Sequence, residues 1–429
     1  MSAPPALAAF AALPPLDFGG RLGRLRHQLE SEGLGAFLVT NLVNVRYLTG
    51  FIGSAGMLLV EPDNAVLVTD GRYGFQANQQ LGRSGVTARV EAVAAAEQDE
   101  LLGDLTRGLG EVGLEAGHIT WARQRALKRT WGRAKALVPT TGVVERLRAL
   151  KDRGEVARVA AAAAVADEAL KLAQAMLEGR TTESEVAAAI EAEMRRIGAE
   201  GPAFDTIVAS GPNAALPHHR PGERRIRRGE LVVLDFGARV DGYRSDMTRT
   251  VRASEGAKVP AALERIARAV SASQDAGLSA VRDGVPGSEV DRACREVIEA
   301  AGFGEYFVHG TGHGVGLDIH EAPSLARASR DILSSGQVVT VEPGIYLPGA
   351  GGARTEDTVL VTEAGCEVLT LAPKALHAGS GGGGGARGGR RAAGAAGAAR
   401  AAGKRTAGQT GKRASKTGGA RWQRSLPMT

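Results

Sequence analysis

Cysteine is almost absent from this chain, with only Cys294 and Cys366 among 429 residues. Two lone cysteines, in segments that read as a helix and a late strand, do not make a disulfide framework. They fit a reducing compartment and a role as small buried hydrophobes. Aromatic side chains are scarce at 4%, although the 43% hydrophobic content is ordinary for a soluble globular protein. The opening stretch MSAPPALAAFAALPPLDFGG has no basic leading region and carries four prolines, so it reads as neither a signal peptide nor a membrane span. The expectation is a cytoplasmic protein with no membrane partner.

Negative charge is missing from the far end. From Ala378 onward there are 11 Lys and Arg and no Asp or Glu, set among Gly and Ala. Such a segment has almost nothing to bury, so residues 374–429 are expected to be a disordered basic tail. Phosphate contacts to nucleic acid are open to it, but Trp422 is its lone aromatic, which argues against a base-stacking platform. The remaining residues carry 42 basic against 47 acidic side chains, a balance of −5. The formal charge of +6 therefore says little about the surface of the body.

The length allows two or three domains. Residues 1–20 read as a flexible leader. Residues 21–144 alternate between helix and strand patterns. Arg21–Glu32 is amphipathic and closes at Gly33, while Ala36–Thr40, Met57–Val60 and Ala65–Thr69 are apolar runs bounded by turn residues. This is the signature of an α/β domain. The charged stretch Val144–Gly154 marks the boundary to a second domain, residues 145–373. There a helix runs from Glu155 to Leu177 and stops at Gly179, and another opens at Thr182, paired with Glu185 as a capping box. Strands surround Ile207, Val232–Phe236 and Met247–Val251. Helices follow at Ala261–Val281 and at Glu289–Ala301 behind Ser288, and strands return at Val338–Val341, Asp357–Val361 and Glu367–Leu371. Helices and strands in blocks predict an α+β fold with an antiparallel or mixed sheet.

What is present in excess is convergent chemistry. Asp235 and Asp246 stand eleven residues apart across the turn ARVDGYRS, where two paired strands would put both carboxylates on one sheet face. Their repulsion would raise one pKa strongly unless cations bound between them. His313 lies in GTGHGVG, between His309 and His320, and glycines there let the backbone pass close to a site. Glu342 follows the apolar strand QVVTV. Glu356 sits in RTEDT, where Arg354 can grip a carboxylate bidentately. Several buried carboxylates converge only around strong positive charge, which two divalent cations would supply. Oxygen-rich coordination with one imidazole suits Mn²⁺, or else Co²⁺ or Zn²⁺.

The ordered set LDFGA, SDMTRT, HGTGHGVGLDIHE, VEPGIY and RTEDT resembles the pita-bread metallopeptidases of the aminopeptidase P, prolidase and creatinase group. The likeness runs from about Arg21 to Leu371, and NVRYLTGFIGSAG is similar to that group's smaller creatinase-type N-terminal domain. The resemblance implies a pita-bread catalytic domain in which Asp235, Asp246, His313, Glu342 and Glu356 hold two metals and Glu342 shuttles a proton. It also implies that His218, His309 and His320 serve catalysis and substrate binding, with Arg354 beside them. His218 is taken over its neighbour His219 on the ALPH match. Substrates would be peptides with proline at the second position, and the partner a second copy of the chain. Xaa-Pro aminopeptidase activity is the first reading, because dipeptidases of the group tend to carry an Arg where Ser324 stands, with Arg327 and Arg330 only further on. Xaa-Pro dipeptidase is the alternative, and a non-enzymatic binding protein the remote one.

Overall fold

Strand signals in the first third are short and wholly apolar, which calls for a sheet covered on both faces. The computed structural model describes residues 13–131, 136–178 and 180–374. In it α1 (Phe18–Ser31) begins three residues inside the segment read as a leader, because the Asp17 carboxylate accepts the Gly20 N–H at 3.0 Å and caps the helix. Six strands follow: β1 (Ala36–Val39), β2 (Met57–Val60), β3 (Ala65–Thr69), β4 (Arg89–Ala92), β5 (Val112–Glu115) and β6 (Leu137–Thr140). They form a mixed sheet in the order β4-β3-β2-β1-β5-β6. Alternate residues of β1 go to opposite faces: Phe37 and Val39 pack with Leu22, Leu25 and Leu29 of α1, and Ala36 and Leu38 with Leu102, Leu127 and Trp131. Between the strands lie α2 (Leu42–Thr49), α3 (Gly74–Ser84), α4 (Gln98–Leu105) and α5 (Trp121–Thr130). The short helix α6 (Val143–Ala149) leads out of this part of the chain.

The rest is a helix pair followed by strands, twice over. First come α7 (Arg153–Met176) and α8 (Glu183–Ile197), then β7 (Gly201–Pro202), β8 (Ile207–Ser210), β9 (Leu231–Phe236), β10 (Ala238–Val240), β11 (Tyr243–Arg244) and β12 (Met247–Arg252). Then come α9 (Ala261–Ala280) and α10 (Gly287–Ala300). They precede β13 (Gly312–Gly314), β14 (Glu321–Leu325), β15 (Val338–Val341), β16 (Gly344–Leu347), β17 (Gly351–Arg354), β18 (Asp357–Val361) and β19 (Cys366–Val368). Two capping boxes start the first pair, Thr182 with Glu185 as read from the sequence and Asp152 with Glu155, which the reading missed. Each is worth about 1 kcal/mol. Small residues on α7, Ala162, Ala166, Ala169 and Ala173, bring it close to Val186, Ile190 and Met194 of α8 and to Val232 and Leu234 of β9. Helix α10 opens at Gly287 behind Pro286, so Ser288, expected just outside, lies in its first turn. The expected strand Glu367–Leu371 shortens to Cys366–Val368. Gly179 and the tail beyond Lys374 lie outside the described residues.

Two sheets meet at the site: β12-β9-β8 and β14-β13-β15-β18-β19, both antiparallel. They are stitched by the Thr358 hydroxyl donating to Asp246 O at 2.7 Å and by Glu356 N donating to Thr248 O at 3.1 Å. The buried Arg249 guanidinium reaches Asp357 at 2.8 Å and the carbonyls of Thr248, Glu356 and Ala372. Five buried donations from this one side chain lock the junction more firmly than hydrophobic contact alone would.

Candidate metal centre

Each acidic group arrives on a different piece of backbone. Asp235 lies on β9 opposite Thr248 of β12, and Asp246 two residues before Thr248 points to the same face, as the hairpin argument anticipated. His313 is the middle residue of β13, and Glu342 and Glu356 follow β15 and β17. Glycines flank His313 for a steric reason. A Cβ at Gly312 would stand 2.0 Å from Thr340 O, and one at Gly314 2.2 Å from Ala322 O. The imidazole is thus carried on backbone pressed between two neighbouring strands.

Ligand atoms of Asp246, His313 and Glu356 all lie within 4.8 Å of one another. His313 Nε2 is 3.4 Å from Glu342 Oε1 and 3.7 Å from Asp246 Oδ2. Its Nδ1 donates to Gly314 O at 2.9 Å, which leaves Nε2 as the lone-pair donor, and burial pushes its pKa down to about 4. The carboxylates move the other way. Burial, then the charges of Asp235 and Glu342, holds Asp246 well above the usual carboxylate range. Burial, then Asp246 and Glu342, does the same to Glu356, and burial with Asp235 lifts Glu342 to about 8 against the pull of Arg354. Asp235 is raised by burial and opposed by Arg354, whose guanidinium bonds its Oδ2, while its buried Oδ1 has no hydrogen-bond partner. A neutral imidazole, crowded carboxylates and an orphaned carboxylate oxygen fit divalent cations, which would restore every anion to its charged form. Asp246, His313 and Glu356 form the cluster's tightest group, with Glu342 and Asp235 beside it.

Around this cluster is a cavity of about 620 Å³ lined by His218, His309 and His320, and by the apolar Phe204, Ile207 and Ile319. His320 stands edge-on to His313 with ring centroids 4.4 Å apart. His309 donates through Nδ1 to Gly310 O at 2.7 Å, so its Nε2 accepts from the Tyr346 hydroxyl at 2.8 Å. Tyr346 in turn accepts from Arg354 at 2.7 Å. His219 is bound to Glu183 at 2.8 Å and to Asn213, whereas His218 is exposed on the cavity wall. The carboxylate that Arg354 meets is that of Asp235. Sequence reasoning passed over Tyr346 and the hydroxyl of Thr248, which donates to Glu356 at 2.6 Å. A Tyr two residues after Gly344 was the available signal: a Cβ on Gly344 would fall 2.4 Å from the Tyr346 hydroxyl.

Residues 157–363 match Metallopeptidase family M24, and residues 21–150 match the Creatinase/Prolidase N-terminal domain. The chain is 34% identical over 358 residues to the Xaa-Pro dipeptidase of Pyrococcus furiosus, covering 83% of this chain and 99% of that protein. Among solved structures it resembles the Xaa-Pro dipeptidase from Bacillus anthracis, with TM-score 0.79, 38% identity and coverage of 84% and 99% of the two chains. It also resembles the X-Pro aminopeptidase from Thermotoga maritima MSB8, with TM-score 0.73, 34% identity and coverage of 80% and 97%. With its pita-bread catalytic domain behind a creatinase-type N-terminal domain, the chain belongs to Metallopeptidase family M24 and is a metallopeptidase.

Proposed function

We propose that this protein hydrolyses the bond between an N-terminal residue and proline, and that its preferred substrates are Xaa-Pro dipeptides. The carrying observation is the cluster of three buried carboxylates with the half-buried Glu342 and His313, lining a cavity sized for a short peptide. The order of the two specificities reverses the one read from Ser324, because two of the three relatives described above are dipeptidases. Asp235, Asp246, His313, Glu342 and Glu356 would hold two divalent cations. When bound, such cations make a water acidic enough to attack near neutral pH and polarise a carbonyl.

The chain's own side chains supply the rest. Glu342, within 3.4 Å of His313, is placed to hold a proton from the attacking water and pass it to the departing proline nitrogen. That nitrogen belongs to a tertiary amide and has no hydrogen of its own. His320 has no intramolecular hydrogen bond among the described residues, which leaves it open to steady a developing oxyanion. His309, with both ring nitrogens engaged, acts by fixing Tyr346 and through it Arg354. His218 on the wall would orient the substrate, and Phe204, Ile207 and Ile319 offer an apolar surface to the proline ring.

The test is turnover of Ala-Pro, Ala-Pro-Ala and Ala-Ala by protein loaded with Mn²⁺, Co²⁺ or Zn²⁺. Cleavage of Ala-Pro ahead of Ala-Pro-Ala is expected. Cleavage of the tripeptide alone would restore the aminopeptidase reading, and inactivity on both proline substrates would end the proposal.

A further inference from the structure

A dipeptide differs from a longer peptide in presenting a free carboxylate one residue beyond the scissile bond. That carboxylate sheds part of its water shell on entering the cavity, so a cationic side chain with free donors is the group fitted to receive it. Two arginines line the cavity, Arg220 and Arg354. Arg354 is buried, and its donors go to Asp235, Tyr346, Thr248 and Pro217 O. Arg327 pairs with Glu299 at 3.7 Å, and neither it nor Arg330 lines the cavity. Arg220 is exposed on the wall and makes no ion pair or hydrogen bond with any described residue. Its backbone is nonetheless held. Next to it, His219 is tied to Glu183 at 2.8 Å and its N–H donates to Leu216 O at 3.2 Å, while Pro221 on the other side restricts the chain.

We propose that Arg220 receives the free α-carboxylate of the dipeptide, and that this fork-shaped contact makes the enzyme select dipeptides although Ser324 carries no charge. The inference rests on the Xaa-Pro reading above. A guanidinium already paired would gain little from a new anion, whereas an unpaired one with planar donors matches a carboxylate bidentately. The site thereby reads both ends of a short substrate: the apolar wall takes the ring, and Arg220 the terminus.

The experiment compares full-length, metal-loaded wild type with Arg220→Gln and Arg220→Lys on Ala-Pro, Ala-Pro amide and Ala-Pro-Ala. Arg220→Gln should raise KM for Ala-Pro by roughly 10- to 100-fold, the range for a lost charge-assisted contact. Turnover at saturation should be largely kept and kinetics on the amide, which has no carboxylate, hardly altered. Arg220→Lys should recover part of the loss. Parallel changes on acid and amide, or an unchanged KM for Ala-Pro, would overturn the assignment while leaving Xaa-Pro activity in place. A wild type inactive on all three substrates would bring down the functional reading and this inference together. Metal content and melting temperature equal to wild type establish that the exposed substitution has not disturbed the fold.

Discussion

At the scale of single residues, Asp246 is the most exposed to the loss of its neighbours' compensation. Its carboxylate is buried with Asp235, Glu342 and Glu356 around it, and no arginine among the described residues pairs with it. Removing it opens the cluster, so Asp246→Ala should lose at least one equivalent of metal and nearly all turnover, as read by elemental analysis beside a peptide assay. A stripped mutant that kept full activity would contradict the assignment. Bound metal also stabilises the folded chain by mass action, about 2.7 kcal/mol at a hundredfold excess over Kd. Chelation of the wild type should therefore lower its melting temperature, and chelation of Asp246→Ala should lower it less. Which residues carry charge chemistry was legible from the order of short motifs. The tautomer of His309 was not, because it depends on a carbonyl and a tyrosine hydroxyl that no local pattern names.

Among the elements, α6 does more than join two halves. Arg148 in its last turn donates to Glu321 at 2.5 Å and to Asp318 at 2.7 Å, while its other terminal nitrogen donates to Asn44 at 2.8 Å. Asn44 in turn donates to Glu115 and Glu145, and Lys151 adds a contact to Glu321 at 3.0 Å. Glu321 directly follows His320, so a relay of buried polar contacts runs from the N-terminal sheet to the wall of the cavity. Burial alone would raise the Glu321 pKa, but Lys151 and Arg148 overcome it and lower it from 4.5 to about 2. A depressed folded-state pKa contributes stability that is present above the unfolded value and is lost as pH falls through the folded one. The wild type should therefore lose stability between about pH 4.5 and 2 through this group, and Glu321→Gln should lack that component. At neutral pH the same substitution leaves Arg148 and Lys151 short of a partner, a cost of about 3–5 kcal/mol. Melting temperature against pH checks both halves, and an unchanged acid limb would refute the linkage. The Asp152–Glu155 capping box lies within a charged stretch whose composition marks a domain boundary, and that masks the helix start there.

For the whole molecule, no described helix is long and apolar enough to cross a membrane. The basic end of the chain, 11 Lys and Arg without an acid, should give any affinity for random DNA a steep decline with salt. Removing residues 375–429 should abolish that binding and leave Ala-Pro turnover within about twofold, measured by salt titration and by kinetics on both forms. Binding that survives the truncation would place the contact elsewhere. Light scattering at twice the 44.3 kDa chain mass is the expected sign of a homodimer.

From the sequence by itself came the α+β block order and, to within a few residues, the ends of the longer helices, which rest on periodicity and caps that span a few residues. The five metal-binding candidates came from ordered motifs that resemble those of a known family. Tertiary structure alone decided which charges meet. Asp235 and Arg354 are 119 residues apart, Thr248 and Glu356 are 108, and Arg148 and Glu321 are 173. Whether a cation is paired or left free on a cavity wall depends on such distant neighbours. That is why Arg354 and Arg220, alike as letters, differ in what they can still hold.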